Sequence, residues 1–282
     1  MESAPIRKAA TLVLWRNHDT GPEIFLIQRH RKSGFMGNAH VFPGGRLDDA
    51  DRVAAKETAP SQKNRCAERS PMTDDPELAT ALCWAAVRET AEESGIFLCG
   101  SANQAWPTPS EQQQAQKALQ EGTPFYQILQ ERQWQPFFEA LHPIAWWLTP
   151  PVEPKRYDTL FFAAQIEGPI VTKTDDRETH GGRWWPVREF FNAYQAQDLF
   201  LAPPTFAVME DVAQALNFDD FVAQSRPERL ICPDLQLNES GQMDFRLPGH
   251  PDHPENDKKQ AVGTRIALSM NAGGHLQSIR QD

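Results

Sequence analysis

Cysteine is scarce: the chain has four, Cys66, Cys83, Cys99 and Cys232, and none stands in a CxxC pair or another metal-ligand spacing. That argues against a cysteine-ligated zinc site and against a disulfide framework, and the expectation is free thiols in a reducing compartment. Long apolar runs are missing as well. The N-terminal IRKAATLVLW carries charge, but its apolar run of about five residues is short of a signal h-region or a membrane span. The closing SIRQD matches neither a peroxisomal nor an ER-retention tail. A cytoplasmic protein that does not enter a membrane is the expectation. Positive charge is in the minority, with 28 Lys and Arg against 38 Asp and Glu and a net charge of −10. This balance argues against a general nucleic-acid or anionic-membrane binder. It leaves room for an anionic small molecule, which needs only local basic groups or a metal ion. No internal repeat is visible.

What is present reads as a globular chain. Its 282 residues are 40% hydrophobic and 23% charged, enough for one large domain with extensions and a substantial core. ATLVLW (10–15) and EIFLIQR (23–29) are two strands around a polar turn. A glycine-rich loop (30–45) follows, with a short strand at AHVF. Residues 48–75 are polar and alanine-rich, and read as a partly helical, solvent-facing insertion without a core of its own. Then a helix begins with Asp75 as N-cap, Pro76 at its first position and Glu77 in the first turn. Leu78, Leu82 and Ala86 give it an apolar stripe, and Gly95 stops it. Two short helices are expected within 110–140, strands at 143–150, 157–166 and 183–187, and a helix at 205–218. Residues 226–282 read as a small β-extension.

The last turns of the helix before Gly95 hold RETAEESGI, with Glu89, Glu92 and Glu93 inside five residues. Both local effects oppose this placement. The helix C-terminus is the negative end of the dipole, and Glu89 and Glu93 are like charges four apart. Read as chemistry, the three carboxylates are hard oxygen donors spread over about one turn, the kind of set that Mg²⁺ accepts. A solvated acidic helix end is the plainer alternative.

Arg88-Glu89-x-x-Glu92-Glu93-x-Gly95-Ile96, preceded by Phe42-Pro43-Gly44-Gly45, resembles the signature box of the Nudix hydrolases, G-x5-E-x7-R-E-U-x-E-E-x-G-U with U apolar. Two departures stand out. Thr90 fills a position that is usually aliphatic. Forty-two residues separate Gly45 from Arg88 where the pattern has 13, and counting back from Arg88 puts Thr80 where the family has Glu. Glu77, one turn earlier, is the nearest acid to that place. The stretches LIQRHRKSGFMGNAHVFPGG, PKRYDTLFFAA and LAPPT are similar to a coenzyme A diphosphatase branch with an insertion in its box, and the likeness spans roughly residues 8–222.

The resemblance implies an α/β fold, an α/β/α sandwich with a mixed β-sheet. The Nudix domain would be 1–225, with insertions at 48–75 and 105–140, and a C-terminal extension (226–282) would pack on it. It implies a hydrolase of a small-molecule diphosphate, with coenzyme A or an acyl-coenzyme A as leading substrate. ADP-ribose or another nucleoside diphosphate derivative is the alternative, and a weakly catalytic Nudix-fold binding domain is a third reading. It implies Mg²⁺ or Mn²⁺ held by Glu89 and Glu93, with Glu92 sharing that role and the Gly44 or Gly45 carbonyl as a further ligand. Arg88 would orient the carboxylates, with a surface pairing to Glu92 as the plainer reading. The general base is a box Glu or an acid on a late loop, where Glu178 stands with Asp175, Asp176 and His180 beside it. Arg29 and Arg31, in the run from Arg29 to Lys32, read as phosphate donors, with a solvated basic loop as the plainer alternative, and Phe42 and Gly45 complete the substrate-binding set. Lys155-Arg156 is a second basic pair. Phe35 and Met36, the Trp146-Trp147 and Trp184-Trp185 pairs and His40 each read as packing or as substrate contacts. A homodimer is the assembly the resemblance allows, with no stretch marking its surface.

Overall fold

The strands expected at 10–15 and 23–29 are the centres of longer ones. A computed structural model describes residues 5–29, 37–103, 105–168, 170–172, 179–237, 243–255, 265–270 and 276–280. In it β1 (Ile6–His18) and β2 (Gly21–Arg29) form an antiparallel hairpin with Trp15 opposite Ile24. The glycine-rich loop contributes two short strands. β3 (His40–Val41) pairs with β2, and β4 (Gly44–Arg46) pairs with the first half of β1, Gly45 lying opposite Ala10. Later in the chain come β5 (Cys99–Gly100) and β6 (Gln135–Pro136), which pair with each other as a two-stranded sheet. β7 (His142–Leu148), β8 (Arg156–Gln165), β9 (Thr179–Pro186) and β10 (Leu230–Ile231) complete an eight-stranded mixed sheet. β1 runs parallel to β8, and β10 parallel to β7.

Because side chains alternate across a strand, β1 feeds two cores. Ala10, Leu12 and Leu14 face one cluster, and Val13 and Trp15 face the other. The first cluster is covered by the long α-helix between Pro76 and Ser94. The second is covered by three helices that follow β9: Val187–Gln195, Pro203–Gln214 and Phe218–Gln224. This is the α/β/α arrangement.

The segment 48–75 is partly helical and mostly solvent-facing, without a core of its own, as its composition suggests, and it is docked on the domain. It forms α1 (Asp49–Glu57) and α2 (Pro60–Arg69), both packed on α3 (Pro76–Ser94), with Ala55 and Cys66 buried. Few apolar side chains are needed, because α3 presents alanines and the remaining attachments are polar. The Trp84 indole donates to the Thr58 hydroxyl at 2.9 Å, and Arg69 donates to the Leu141 carbonyl. The second insertion supplies α4 (Pro109–Gln120) and α5 (Phe125–Arg132), whose Phe125, Ile128 and Leu129 enter the first core. α3 itself follows its sequence signals: Asp75 accepts from the Glu77 N–H at 3.0 Å, and Gly95 is left-handed at φ +75°.

The helices of the second face are α6 (Val187–Gln195), α7 (Pro203–Gln214) and α8 (Phe218–Gln224). Beyond them the C-terminal region forms its own sheet of β11 (Asp234–Leu237), β12 (Met243–Arg246), β13 (Arg265–Met270) and β14 (Leu276–Arg280). Phe245, Leu247, Ile266 and Leu268 join the second core, and Arg280 pairs with Glu210 of α7. Among the described residues no helix is long and apolar enough to cross a membrane.

A chain ending at Ser225 loses those four buried side chains, each contributing roughly 1.5–3 kcal/mol. Their sum approaches the ~5–15 kcal/mol net stability of a domain. The truncated chain is expected to be unfolded or insoluble by circular dichroism and sedimentation; a soluble, cooperatively melting product would show that the first 225 residues fold without the extension.

Candidate active site

The site is built from the C-terminal half of α3, the β4 ledge and the start of α1. Arg88 is the hub. It is 6% exposed, and all five of its N–H donors are used. Nε and Nη2 form a fork to Asp51 at 3.0 and 2.9 Å, and Nη2 also donates to the Arg46 carbonyl at 3.1 Å. Nη1 donates to Glu89 at 2.9 Å and to Glu92 at 3.0 Å. Burial opposes the charge of this guanidinium. The hydrogen bonds to Asp51 and the fields of Glu89, Asp51 and Glu92 outweigh it and raise its affinity for its proton.

The glycines act through close approach. A Cβ on Gly45 would lie 2.5 Å from the carboxyl carbon of Glu89, and one on Gly44 would lie 2.5 Å from the Ala10 carbonyl. The backbone therefore serves as a floor beneath Glu89 that any side chain would obstruct. The Gly44 N–H donates to Glu93 at 2.8 Å. Two further bonds hold the ledge to β1, from the Leu12 N–H to the Pro43 carbonyl and from the Leu47 N–H to the Lys8 carbonyl. The turn is thus anchored on both sides of the two glycines.

Burial pushes the Glu89 carboxyl up to about 7; Arg88 works against this shift and Glu92 adds to it. Glu92 is raised too, again by burial. Three carboxylates share Arg88, and ionising them together carries an electrostatic cost that a further cation would lower. The donor set is all hard oxygen, which suits Mg²⁺ or Mn²⁺. Among the described residues no three acidic, histidine or cysteine side chains already converge on one metal-sized point. The helix end therefore offers donors rather than a finished cage. That is how Mg²⁺ is usually held, with one or two carboxylates and with waters and substrate oxygens in its other positions.

Of the other residues singled out from the sequence, some are brought elsewhere. Phe42 is 2% exposed inside the second core, so its ring anchors the loop and has no face to offer a substrate. Arg156 is buried and donates to the Thr149 carbonyl at 3.1 Å, bracing the β7–β8 connection. Trp147 and Trp185 are core residues, while Trp146 donates to Asp158 at 2.6 Å. His40 packs edge-on against Trp185, and burial lowers its pKa to about 4, so it is neutral and structural. Arg29 ends β2 with its backbone bonded to Ala39 and Asn38, and no described contact joins its side chain to the glutamates. Arg31, Glu178, His30, Lys32, Phe35, Met36, Asp175 and Asp176 lie outside the described residues, as does the side chain of His180.

Comparison with known proteins gives the family. The family model of the NUDT19 Nudix domain matches residues 6–212. The chain belongs to this family. The acyl-coenzyme A diphosphatase NUDT19 of Xenopus laevis is 30% identical over 228 residues, covering 68% of this chain and 60% of that protein. Its Homo sapiens namesake is 29% identical over 265 residues, covering 76% and 70%. The chain thus spans less than two thirds of the frog protein's length. A NUDIX hydrolase structure from Alicyclobacillus acidocaldarius aligns with a TM-score of 0.60 and 26% identity, over 79% of this chain and 97% of that one.

Within this NUDT19 Nudix domain the split box resolves differently from the backward count. Thr80 is fully buried, and its hydroxyl donates to the Pro76 carbonyl at 2.7 Å, away from Arg88. Asp51 is the acid that meets Arg88, and it stands at Gly45-x5-Asp51, the forward spacing of the box. The extra residues therefore lie between Asp51 and Arg88. Counting forward from Gly45 would have found it.

Replacing Asp51 with Ala leaves Arg88 without its buried partner, and a loss of ~3–5 kcal/mol is expected from urea denaturation. Glu89 gives a signed pH effect in chelator-treated protein. Between its ordinary 4.5 and about 7 the folded state holds a proton that the unfolded chain releases, so stability falls as pH rises through that window. Glu89→Gln is expected to match the wild type at pH 4, below both values, and to exceed it by ~3 kcal/mol at pH 8. Equal stabilities at both pH values would show that Glu89 carries no such burden.

Proposed function

We propose that this chain is a divalent-metal-dependent diphosphatase acting on coenzyme A or an acyl-coenzyme A. Water adds across the diphosphate bridge, one P–O bond breaks, and the products are 3′,5′-ADP and the phosphopantetheine or its acyl form. The observation that carries the chemistry is the shared guanidinium: Arg88 holds Glu89 and Glu92 in fixed positions above the Gly44–Gly45 ledge, with Glu93 tied to Gly44. The substrate class is supported by the sequence likeness to proteins named acyl-coenzyme A diphosphatase.

Bound Mg²⁺ or Mn²⁺ would activate the attacking water and neutralise charge on the phosphoryl oxygens. Glu89 and Glu93 are the ligands, with Glu92 sharing the role and a backbone carbonyl of the Gly44–Gly45 ledge completing it. Arg88 and Asp51 keep these carboxylates from collapsing onto other donors. Arg29 and Arg31 take the substrate phosphates, and the proton of the attacking water goes to a box glutamate or to Glu178. Four unpaired cysteines support a reducing, cytoplasmic setting. A homodimer belongs to the same reading through family likeness alone.

A panel of coenzyme A, an acyl-coenzyme A, ADP-ribose, NADH and a diadenosine polyphosphate, assayed with Mg²⁺ and Mn²⁺, tests the reading beside Glu93→Gln. Release of 3′,5′-ADP from the coenzyme A members, lost in the variant by at least about a hundred-fold, is the expected result. Preference for ADP-ribose would discard the coenzyme A branch and keep the site. Undiminished hydrolysis by Glu93→Gln would remove the metal assignment.

A further inference from the structure

Asp51 is a saturated acceptor. A carboxylate offers about four lone-pair sites, and all four are taken. Oδ1 accepts from Arg88 Nε at 3.0 Å and from the Tyr126 hydroxyl, while Oδ2 accepts from Arg88 Nη2 at 2.9 Å and from the Asp48 N–H at 2.7 Å. Three of these bonds come from the box and its first insertion. The fourth comes from α5 in the second insertion, 75 positions along the chain. Tyr126 is fixed from its own side as well. Its ring meets Trp84 of α3 edge-on at 5.4 Å, and neighbouring Phe125 is buried in the first core. Burial and the Asp51 carboxylate raise the phenol's affinity for its proton, so it remains a donor.

A buried carboxylate with a vacant lone pair is costly, and a fully satisfied network is rigid. The hydroxyl therefore does more than pack. With Asp51 completely bonded, the guanidinium has one position, and Glu89 and Glu92 inherit it through Nη1. We propose that Tyr126 is a positioning residue of the hydrolytic site, acting through Asp51 and Arg88 on the carboxylates that hold metal. This rests on the reading of the site given above, and it assigns the second insertion a part in the chemistry.

The test uses Tyr126→Phe in the full chain, because Phe keeps the ring against Trp84 and removes only the hydroxyl. Two quantities are read: Mn²⁺ affinity of the substrate-free protein by electron paramagnetic resonance, and kcat and KM for the preferred diphosphate. Mn²⁺ binding is expected to weaken about ten-fold, and kcat to fall by a similar factor with KM moving less than about two-fold. The same substitution in an Asp51→Asn background is expected to add less than about two-fold, since its route is already cut. Unchanged Mn²⁺ affinity and kcat in Tyr126→Phe overturn the proposal, as does a loss undiminished by Asp51→Asn. If Asp51→Asn does not fold, the single variant decides. Retained Mn²⁺ binding in Tyr126→Phe with its loss in Glu93→Gln would overturn the Tyr126 assignment alone. Retention in both would overturn the metal site on which it rests.

Discussion

The buried fork between Arg88 and Asp51 is the contact on which the rest of the site depends. An ion pair taken out of water recovers its desolvation cost only when its remaining donors and acceptors are also met. Here they are. The five N–H groups of Arg88 and the four lone-pair sites of Asp51 all have partners. The pair is half of a larger balance, because the same guanidinium that satisfies Asp51 also restrains Glu89 and Glu92. A helix C-terminus is a poor place for three acids on local grounds. It becomes tenable once a cation on their own helix is fixed among them and a glycine floor lets Glu89 lie against backbone.

This arrangement gives the two insertions a common purpose. α1 delivers Asp51, α2 packs on α3 and binds the Leu141 carbonyl just before β7 through Arg69, and α5 delivers Tyr126. α1 and α2 bury few apolar residues and are held against α3 by polar contacts and small residues, whereas α5 enters the first core through Phe125, Ile128 and Leu129. The stability of α1 and α2 is thus borrowed from the helix whose chemistry they support. From Asp51 the route to Glu89 and Glu92 is two hydrogen bonds, and from Tyr126 it is three.

Much of this architecture was legible in the sequence wherever local chemistry decides structure. α3 announced itself through Asp75, Pro76 and Gly95, and the β1–β2 hairpin through its aliphatic runs, because caps and strand residues act on their own neighbours. The acidic cluster and Phe42-Pro43-Gly44-Gly45 were legible as spacing. Segment 48–75 is legible as a partly helical insertion without its own core, but its docking is a tertiary fact: Ala55 and Cys66 are buried only where α3 covers them. Asp51 is hidden from a count back from Arg88, which puts the extra residues before Thr80 and not after Asp51. Tyr126 had no local signal at all, and the internal attachments of residues 226–282 appear only when Ile266 and Leu268 meet the helices of the second face.

The place of the insertion follows from the same interaction. In an uninterrupted box the acid and the arginine are tied by a short covalent span, so their meeting costs little chain entropy. Here 36 residues intervene between Asp51 and Arg88, and closing a loop of that length is entropically opposed, though only logarithmically with length. The opposition is met by folding the intervening chain instead of leaving it open. α1 and α2 lie along α3, Trp84 bonds Thr58, and the capping box at Asp48 turns the Asp51 carboxylate back toward its own N-terminus, where Arg88 waits. A covalent constraint has been exchanged for a tertiary one. The box can then be opened between its first acid and its arginine, whereas an insertion among Arg88, Glu89, Glu92 and Glu93 would turn the carboxylates to different faces of the helix and lose the shared guanidinium.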